Sequence, residues 1–113
     1  MENCLFCKII KGEIPSAKVL ENDQVYAFRD INPQAPTHVL VVPKKHVSSV
    51  AEIDQLSDAE IAACLKAVKQ IAAEESLSDG FRVVSNCGPD ACQSVPHLHF
   101  HILGGRKMGD RMA

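Results

Sequence analysis

Residues 97–103 constrain the fold more than any other part of the chain, because imidazole and apolar side chains alternate along them. This alternation has the two-residue period of a β-strand. On a strand the three histidines share one face, while Leu98, Phe100 and Ile102 enter the core. On a helix the histidines would be scattered around the axis and nothing would be buried consistently. The sequence therefore predicts a strand over residues 97–103.

The histidine row on this strand indicates chemistry rather than solvation. Alternate Cα atoms of a strand lie about 6.6 Å apart, at roughly 3.3 Å per residue, so the row is long enough to serve two adjacent sites. A plain solvent-facing surface is the alternative. Serine, threonine or lysine would fill such a surface without titrating near neutral pH, whereas imidazole titrates there. We therefore expect functional histidines along this strand.

Shorter patterns elsewhere predict an α+β fold with a five-stranded, mostly antiparallel sheet and few helices. The apolar spacing of residues 4–11 is typical of a short amphipathic helix. Segments rich in β-branched and aromatic residues predict further strands over 18–20, 24–29, 37–42 and 81–85. Proline- and glycine-containing segments predict loops over 32–36 and 86–94.

The longest predicted element is a helix that begins at Ser57. Ser57 and Glu60 have the spacing of a capping box, in which each side chain bonds to the backbone N–H of the other residue. Apolar residues then recur at helical spacing up to about residue 76. Cys64 is expected to be a small, inert hydrophobe beside this stripe. The expected core-facing residues are Ile61, Leu65, Val68 and Ile71 or Ala72.

The composition limits what the chain can do. Its 113 residues are 46% hydrophobic and 23% charged, without a repeat or a linker, which predicts one globular domain over residues 1–113. A net charge of −2 argues against binding to a nucleic-acid duplex or to an anionic membrane surface. No apolar run approaches the roughly 18 residues of a membrane span. The N-terminal sequence has no secretory pattern, so we expect a cytoplasmic protein.

The cysteines suggest a second kind of site. Five cysteines are an odd number for a disulfide framework, and Cys4 and Cys7 form a Cys-x-x-Cys motif. In a reducing compartment this spacing favours metal or redox chemistry over a structural disulfide. A thioredoxin-like redox pair fits poorly, because that motif follows a strand in a βαβ unit. Two ordinary thiols are the remaining alternative to a metal site.

The alternating histidines of residues 97–103 resemble the signature of the histidine triad (HIT) family. The resemblance covers nearly the whole chain and extends to the nucleotide-binding branch of that family. The matching blocks are residues 28–38 (FRDINPQAPTH), 42–46 (VPKKH), 86 (N), 93–95 (QSV) and 103–106 (LGGR). The resemblance implies a HIT-like fold and a homodimer. In such a dimer the long helix and the strand after it pair across a two-fold axis and join two sheets into one.

The resemblance also implies an activity, hydrolysis of the P–N bond in purine nucleoside 5′-phosphoramidates (AMP or GMP joined to an amine). His99 would be the nucleophile and would form a covalent nucleotidyl-histidine, which water then cleaves. A neutral imidazole with a pKa of about 6.5 is a competent nucleophile at neutral pH and a good leaving group. His101 would hydrogen-bond to the phosphoryl oxygens, and His38 would lie behind the nucleophile in a proton relay. AMP, GMP and adenosine are the expected ligands.

Further positions that match the family are expected to hold the nucleotide. Asp30 would accept hydrogen bonds from the ribose hydroxyls, although it could equally be a turn residue. The phosphate and the leaving group would be held by Asn86, Gln93 and Ser94, of which Ser94 is grouped with the catalytic histidines. The apolar base pocket would be formed by Phe6, Ile9, Phe28 and Ile31. Plain core packing is the alternative role for these apolar residues.

Many bacterial members of this branch resemble the chain in a zinc site as well. The corresponding positions are Cys4, Cys7, His46 and His97. Two thiolates and two imidazoles complete a tetrahedral shell with no open position, so the zinc would be structural. It would hold the N-terminal helix against the sheet. No organic cofactor is expected.

Two features depart from the family pattern. Cys92 stands where relatives usually have glycine, which would strain the loop if this position needs a positive φ. Residues 104–113 lack the Trp-Pro-Pro ending that is common in relatives. Two other functions therefore stay open, a nucleotide-binding regulatory module with little turnover and a hydrolase of dinucleoside polyphosphates. Turnover of a phosphoramidate would separate an enzyme from a binding module.

Overall fold

A computed structural model describes residues 3–111 as an α+β fold built on one antiparallel sheet of five strands in the order β1-β2-β3-β5-β4. The predicted fold class is confirmed. The strands are β1 (Lys18–Glu21), β2 (Val25–Arg29), β3 (Thr37–Pro43), β4 (Phe81–Val84) and β5 (Phe100–Gly104). The helices are α1 (Leu5–Ile10) and α2 (Asp58–Glu74), with 3-10 turns at Val50–Gln55 and Pro89–Ala91. Within residues 3–111, neither helix is long and apolar enough to cross a bilayer.

Strand β3 lies at the centre of the sheet and is buried on both faces. Val39 and Val41 pack under α2, in a cluster with Val68 and Ile71 of that helix. Leu40 and Val42 point to the opposite face and pack in a cluster with residues of α1. A strand covered on both faces is apolar at nearly every position, as residues 39–42 are. The α1 face of β3 and β5 is the one that carries the histidines.

The predicted strand over residues 97–103 was wrong at its beginning, since β5 starts only at Phe100. The Leu98 N–H donates to the carbonyl of Val47 instead of a ladder partner, at 2.8 Å. The Pro43 carbonyl, at the end of β3, accepts from Nε2 of the His97 ring at 2.9 Å. The alternation of faces is nevertheless present, because Ile102 packs in the cluster under α2 whereas the His99 ring lies against Phe6 of α1.

Helix α2 begins as its sequence predicts. Ser57 is the N-cap, and both hydrogen bonds of the capping box with Glu60 are formed. The buried stripe agrees with the prediction at Val68, Ile71 and Ala72. The predicted core position of Leu65 was wrong, because Leu65 is 51% exposed and Cys64 only 1%. Stepping by three and four residues from Cys64 gives the observed core residues, Cys64, Ala67, Val68, Ile71 and Ala72.

The loop before the histidine segment contains a strained residue. Cys92 is exposed and adopts the left-handed conformation, with φ 58° and ψ 38°. An L-residue with a Cβ atom is destabilised there by roughly 1–2 kcal/mol relative to glycine. The strain expected from the Cys92 departure is therefore present.

Replacing Cys92 with glycine is expected to stabilise the fold by about 1 kcal/mol, since the gain from relieved strain exceeds the entropy that glycine adds to the unfolded chain. Urea denaturation would measure this change. Cys92→Ala is the matched control, because it removes the thiol and keeps the Cβ atom. Equal stabilisation by both substitutions would assign the effect to the thiol instead of the backbone.

Candidate active site and metal cluster

The pairing of β3 with β5 brings two histidines together on the α1 face. His101 lies opposite Leu40, and His38 lies opposite Leu103, so the two histidines are diagonal neighbours across the ladder. Their ring centroids are 5.1 Å apart, and Nε2 of His38 lies 2.9 Å from Nδ1 of His101. Asp30 extends this row, with Oδ2 at 3.5 Å from Nε2 of His38.

Hydrogen bonds assign the proton positions of these two imidazoles. The backbone N–H of Gln34 donates to Nδ1 of His38 at 3.0 Å, so the proton of the neutral His38 ring is on Nε2. That proton is donated to Nδ1 of His101. The proton of the His101 ring is then on Nε2. The hydrogen bonds from the Gln34 N–H through His38 to His101 thus end in an N–H donor on His101, with Asp30 Oδ2 beside the shared Nε2 of His38.

His99 has the opposite arrangement. Its Nδ1 lies 2.7 Å from the backbone carbonyl of His97, and a carbonyl only accepts, so Nδ1 carries the proton. Nε2 of His99 is therefore an unprotonated nitrogen with a free lone pair. The His99 ring lies 5.0 Å from the His101 ring, centroid to centroid. The site thus places a nitrogen with a free lone pair beside an N–H donor.

Burial keeps the three imidazoles of this site neutral at pH 7. Burial, together with the neighbouring rings of His99 and His38, lowers the pKa of His101 to about 4. Burial also lowers the pKa of His38 and that of His99, against the opposing effect of the Asp30 carboxylate. A neutral His99 keeps its Nε2 lone pair available.

The low pKa of His101 predicts how stability depends on pH. An unfolded histidine takes up a proton near pH 6.5, whereas folded His101 does so only near pH 4. The unfolded state therefore binds more protons in this interval, and the free energy of unfolding should fall as pH drops from about 6.5 to about 4. Urea denaturation across this range should give a shallower slope for His101→Gln. Imidazole ¹⁵N NMR should show His101 still neutral at pH 5.5, and a titration near pH 6.5 would contradict the prediction.

The predicted place of His38 behind the nucleophile was wrong. His38 contacts His101 instead of His99. The register explains this, because His38 is one diagonal step from His101, whereas His99 lies beyond the last β3–β5 pair, Val41 with Phe100. A proton relay through His38 would therefore serve the N–H donor.

The loop residues predicted to hold phosphate differ in what they contact. Gln93 already uses its side-chain amide within the fold. It accepts from the Gly88 N–H at 2.9 Å and donates to the carbonyls of Ser48 and Val95 at 2.7 and 2.9 Å. Asn86 is half-buried and Ser94 is exposed. Phosphate binding by these three residues stays a prediction, and Gln93 has a demonstrable role in fixing the loop.

The residues predicted to hold ribose and base differ in their burial and in what they contact. Oδ1 of Asp30 accepts from the Asn32 N–H at 2.8 Å, so the turn alternative is realised, while Oδ2 faces His38. Phe6, Ile9 and Phe28 are buried in the cluster between α1 and the sheet. Ile31 is 100% exposed. The base pocket stays a prediction, with core packing established for its three buried members.

A second cluster joins α1 to the sheet next to His99. It consists of Cys4 and Cys7 from α1 and its cap, His46 after β3, and His97, with one ligand atom of each within 4.8 Å of all the others. Sγ of Cys4 lies 3.3 Å from Nδ1 of His97, and Sγ of Cys7 lies 3.3 Å from Nδ1 of His46. The two Nδ1 atoms are 3.1 Å apart. Ligands at the corners of a zinc tetrahedron lie about 3.3–3.8 Å apart, so a small expansion would admit the ion.

The protonation of this cluster suits a divalent cation. Nε2 of His97 donates to the Pro43 carbonyl, so its Nδ1 lone pair faces the thiols. Burial, together with the hydrogen-bonded Cys4 thiol, raises the pKa of Cys7 to about 11, and a cation would instead stabilise the thiolate. The four residues therefore fit zinc. The Pro43 carbonyl was not found from sequence, because a backbone group leaves no residue-type signal.

Comparison with known proteins identifies the family of the chain. The family model for the HIT domain matches residues 11–108, which is most of the chain. The chain belongs to the HIT family. The resemblance noted from the alternating histidines is thereby confirmed.

Relatives of this HIT protein cover nearly all of it. A 14 kDa zinc-binding protein of Zea mays is 50% identical over 106 residues, which cover 92% of this chain and 83% of the relative. The adenylylsulfatase HINT1 of Arabidopsis thaliana is 44% identical, covering 92% of this chain and 72% of the relative. A solved HIT family hydrolase from Clostridium thermocellum superposes with a TM-score of 0.95 at 44% identity, covering 100% of this chain and 99% of that one.

Proposed function

We propose that this HIT protein is a purine nucleoside phosphoramidase, a hydrolase that cleaves the P–N bond between a nucleoside 5′-monophosphate and an amine. One observation carries the proposal. The hydrogen bond from Nδ1 of His99 to the His97 carbonyl leaves the Nε2 lone pair free beside the N–H donor of His101. A free nitrogen nucleophile and an adjacent proton donor are what displacement of an amine from phosphorus requires.

In the first step, Nε2 of His99 attacks the α-phosphorus and the P–N bond to the amine breaks. The departing nitrogen takes a proton from Nε2 of His101 while solvent water returns a proton to the His38–His101 pair, so that neither ring becomes an imidazolate. The nucleotidyl-imidazolium formed on His99 keeps its Nδ1 proton, and the His97 carbonyl stabilises that cation. In the second step, water attacks phosphorus and the P–N bond to His99 breaks. The nucleoside monophosphate leaves, the proton of the attacking water passes to solvent, and His99 returns to its neutral form.

In this mechanism the remaining predicted residues would bind the other parts of the substrate. Ser94, exposed at the end of the loop, would hydrogen-bond to the leaving nitrogen, with Asn86 on the phosphate. Asp30 would bind the ribose hydroxyls with the oxygen that faces His38. AMP and GMP are the proposed products, with adenosine as a weaker ligand.

A rapid-quench experiment with adenosine 5′-phosphoramidate tests this function. Mass spectrometry of acid-sensitive adducts, trapped within one turnover, should find one AMP on His99. Diadenosine polyphosphates should be cleaved far more slowly. Tight AMP binding without turnover of any phosphoramidate would instead identify a regulatory binding module.

A second candidate, hydrolysis of adenylyl sulfate, is favoured by the relative named adenylylsulfatase. The His99 lone pair would serve both reactions, but sulfate is a weak base and leaves without a proton. His101→Gln should therefore slow release of an amine much more than release of sulfate. A wild-type preference for adenosine 5′-phosphosulfate over the phosphoramidate would select this candidate.

We also propose that the Cys4, Cys7, His46 and His97 cluster holds a structural zinc ion. Four protein ligands fill the shell, so the ion would stabilise the fold and take no part in the displacement. The ligands must be thiolates, which requires a reducing compartment, and the cytoplasm is the proposed location.

We further propose a homodimer that forms through the edge strand β4. In the single chain β4 pairs only with β5, and its Phe81 and Val83 side chains are 43% and 41% exposed. Leu65 on α2 is exposed as well. An apolar strand edge of this kind pairs readily with a second copy across a two-fold axis.

Val83→Lys is expected to weaken the dimer by at least roughly 100-fold, because two-fold symmetry brings like charges together in a desolvated interface. Analytical ultracentrifugation would measure the dissociation constant. Val50→Lys is the matched control, since Val50 is 39% exposed and belongs to the 3-10 turn at Val50–Gln55 and not to a strand of the sheet. Dimers that persist in Val83→Lys would place the interface elsewhere.

A further inference from the structure

His97 belongs to both clusters through different atoms. Its ring nitrogen Nδ1 faces Cys4 and Cys7, at 3.3 and 3.5 Å from their sulfur atoms. Its backbone carbonyl accepts the hydrogen bond that sets the tautomer of His99. The backbone position of His97 therefore fixes both the place of its ring in the metal cluster and the place of its carbonyl on His99.

Phe6 makes a second link. It lies on α1 between the two cysteines, so the position of its ring follows from how α1 is held to the sheet. The Phe6 ring meets the His99 ring edge to face, with centroids 5.1 Å apart and an interplanar angle of 88°. The Phe6 and His97 ring centroids are 6.0 Å apart. Edge-to-face contact restrains the plane of the His99 imidazole.

We propose that the four-ligand cluster positions the nucleophile, with the His97 carbonyl and the Phe6 ring as the two positioning groups that connect the metal to His99. The proposal rests on the proposed function of His99 and on zinc binding at the cluster. His101 provides the contrast within the same site, because its tautomer is set by His38 and the Gln34 N–H on the β3 side. Loss of the metal should therefore free the His99 imidazole from its fixed orientation and leave the adjacent His101 imidazole in place.

Imidazole ¹⁵N NMR of the full chain tests this connection without any substrate. With Zn²⁺ bound, His99 should show a single Nδ1–H tautomer. After a chelator removes Zn²⁺, His99 should exchange between both tautomers while His101 keeps its own. A His99 spectrum that does not change when Zn²⁺ leaves would overturn the proposal, and so would equal changes in His99 and His101, which indicate general loosening.

Two variants separate positioning from packing. Phe6→Leu should lower kcat roughly 10- to 100-fold with KM nearly unchanged, because a displaced nucleophile loses alignment and not substrate affinity. Tyr26→Leu is the matched control, since Tyr26 is an equally buried aromatic residue of the same cluster and its ring contacts Phe28. Its kcat should stay close to wild type. A rise in KM alone for Phe6→Leu would assign Phe6 to the base pocket and contradict positioning.

The two proposals can fail separately. If no phosphoramidate is turned over, the proposed function is wrong, while the NMR experiment still decides whether Zn²⁺ sets the His99 tautomer. If turnover is seen and the His99 tautomer ignores Zn²⁺, the coupling is wrong and the function stands.

Discussion

Replacing His99 with glycine is expected to abolish hydrolysis of adenosine 5′-phosphoramidate, with kcat reduced by at least roughly 10⁴-fold. The reason is the loss of the Nε2 lone pair that the hydrogen bond to the His97 carbonyl leaves free. Neither remaining imidazole can replace it, because His101 presents an N–H and both His38 nitrogens are engaged. A fluorogenic phosphoramidate assay at equal protein concentration would measure the loss.

Chemical rescue sharpens this prediction. His99 is 95% buried between the Phe6 ring and His101, so the glycine variant leaves a cavity shaped for an imidazole ring. Added imidazole should restore part of the activity. His99→Gln is the matched control, because its side chain fills the cavity without offering a nucleophilic nitrogen, and imidazole should not rescue it. Unchanged turnover in the glycine variant would rule out the covalent mechanism.

Removing zinc is expected to produce the largest loss of stability. At a zinc concentration about 1,000 times the dissociation constant, an ion that binds only the folded state contributes about 4 kcal/mol. For a domain of this size, chelation should lower Tm by on the order of 10 °C or more. Scanning calorimetry of zinc-loaded and chelated protein would measure the shift.

The control for chelation is a protein with no intact cluster. Cys7→Ser removes one thiolate, and even before chelation its Tm should be close to that of the chelated wild-type protein. Adding a chelator should then change its Tm little. If wild type and Cys7→Ser respond equally to the chelator, the cluster is not the source of the stabilisation.

The periodicity of the sequence predicted those features that depend on residues close together along the chain. The two-residue alternation separated the histidines from Leu98 and Ile102, and the Ser57 capping box located the start of α2. One position of the α2 stripe could not be predicted in the same way. Either Cys64 or Leu65 completes the helical stripe, and only the packing of α2 against the sheet places Cys64 in the core.

The chemistry of the histidines was less accessible. Residue types indicated which imidazoles matter, but their proton positions depend on the Gln34 N–H and the His97 carbonyl, which are backbone groups. The early part of the predicted strand failed for the same reason, since the bond from Leu98 to Val47 joins distant parts of the chain. Such contacts are tertiary and have no local signature.

The three hydrogen bonds that the Gln93 side-chain amide makes to backbone groups have a consequence for ligand affinity. They join the two ends of the loop to each other and to Ser48 through groups of the protein. On the proposed function, a nucleotide would therefore meet a loop that is already fixed, and its binding would cost little conformational entropy of the protein. The affinity of the site should then reflect its direct contacts, and a ligand as small as a nucleoside monophosphate should bind without a closing motion of this loop.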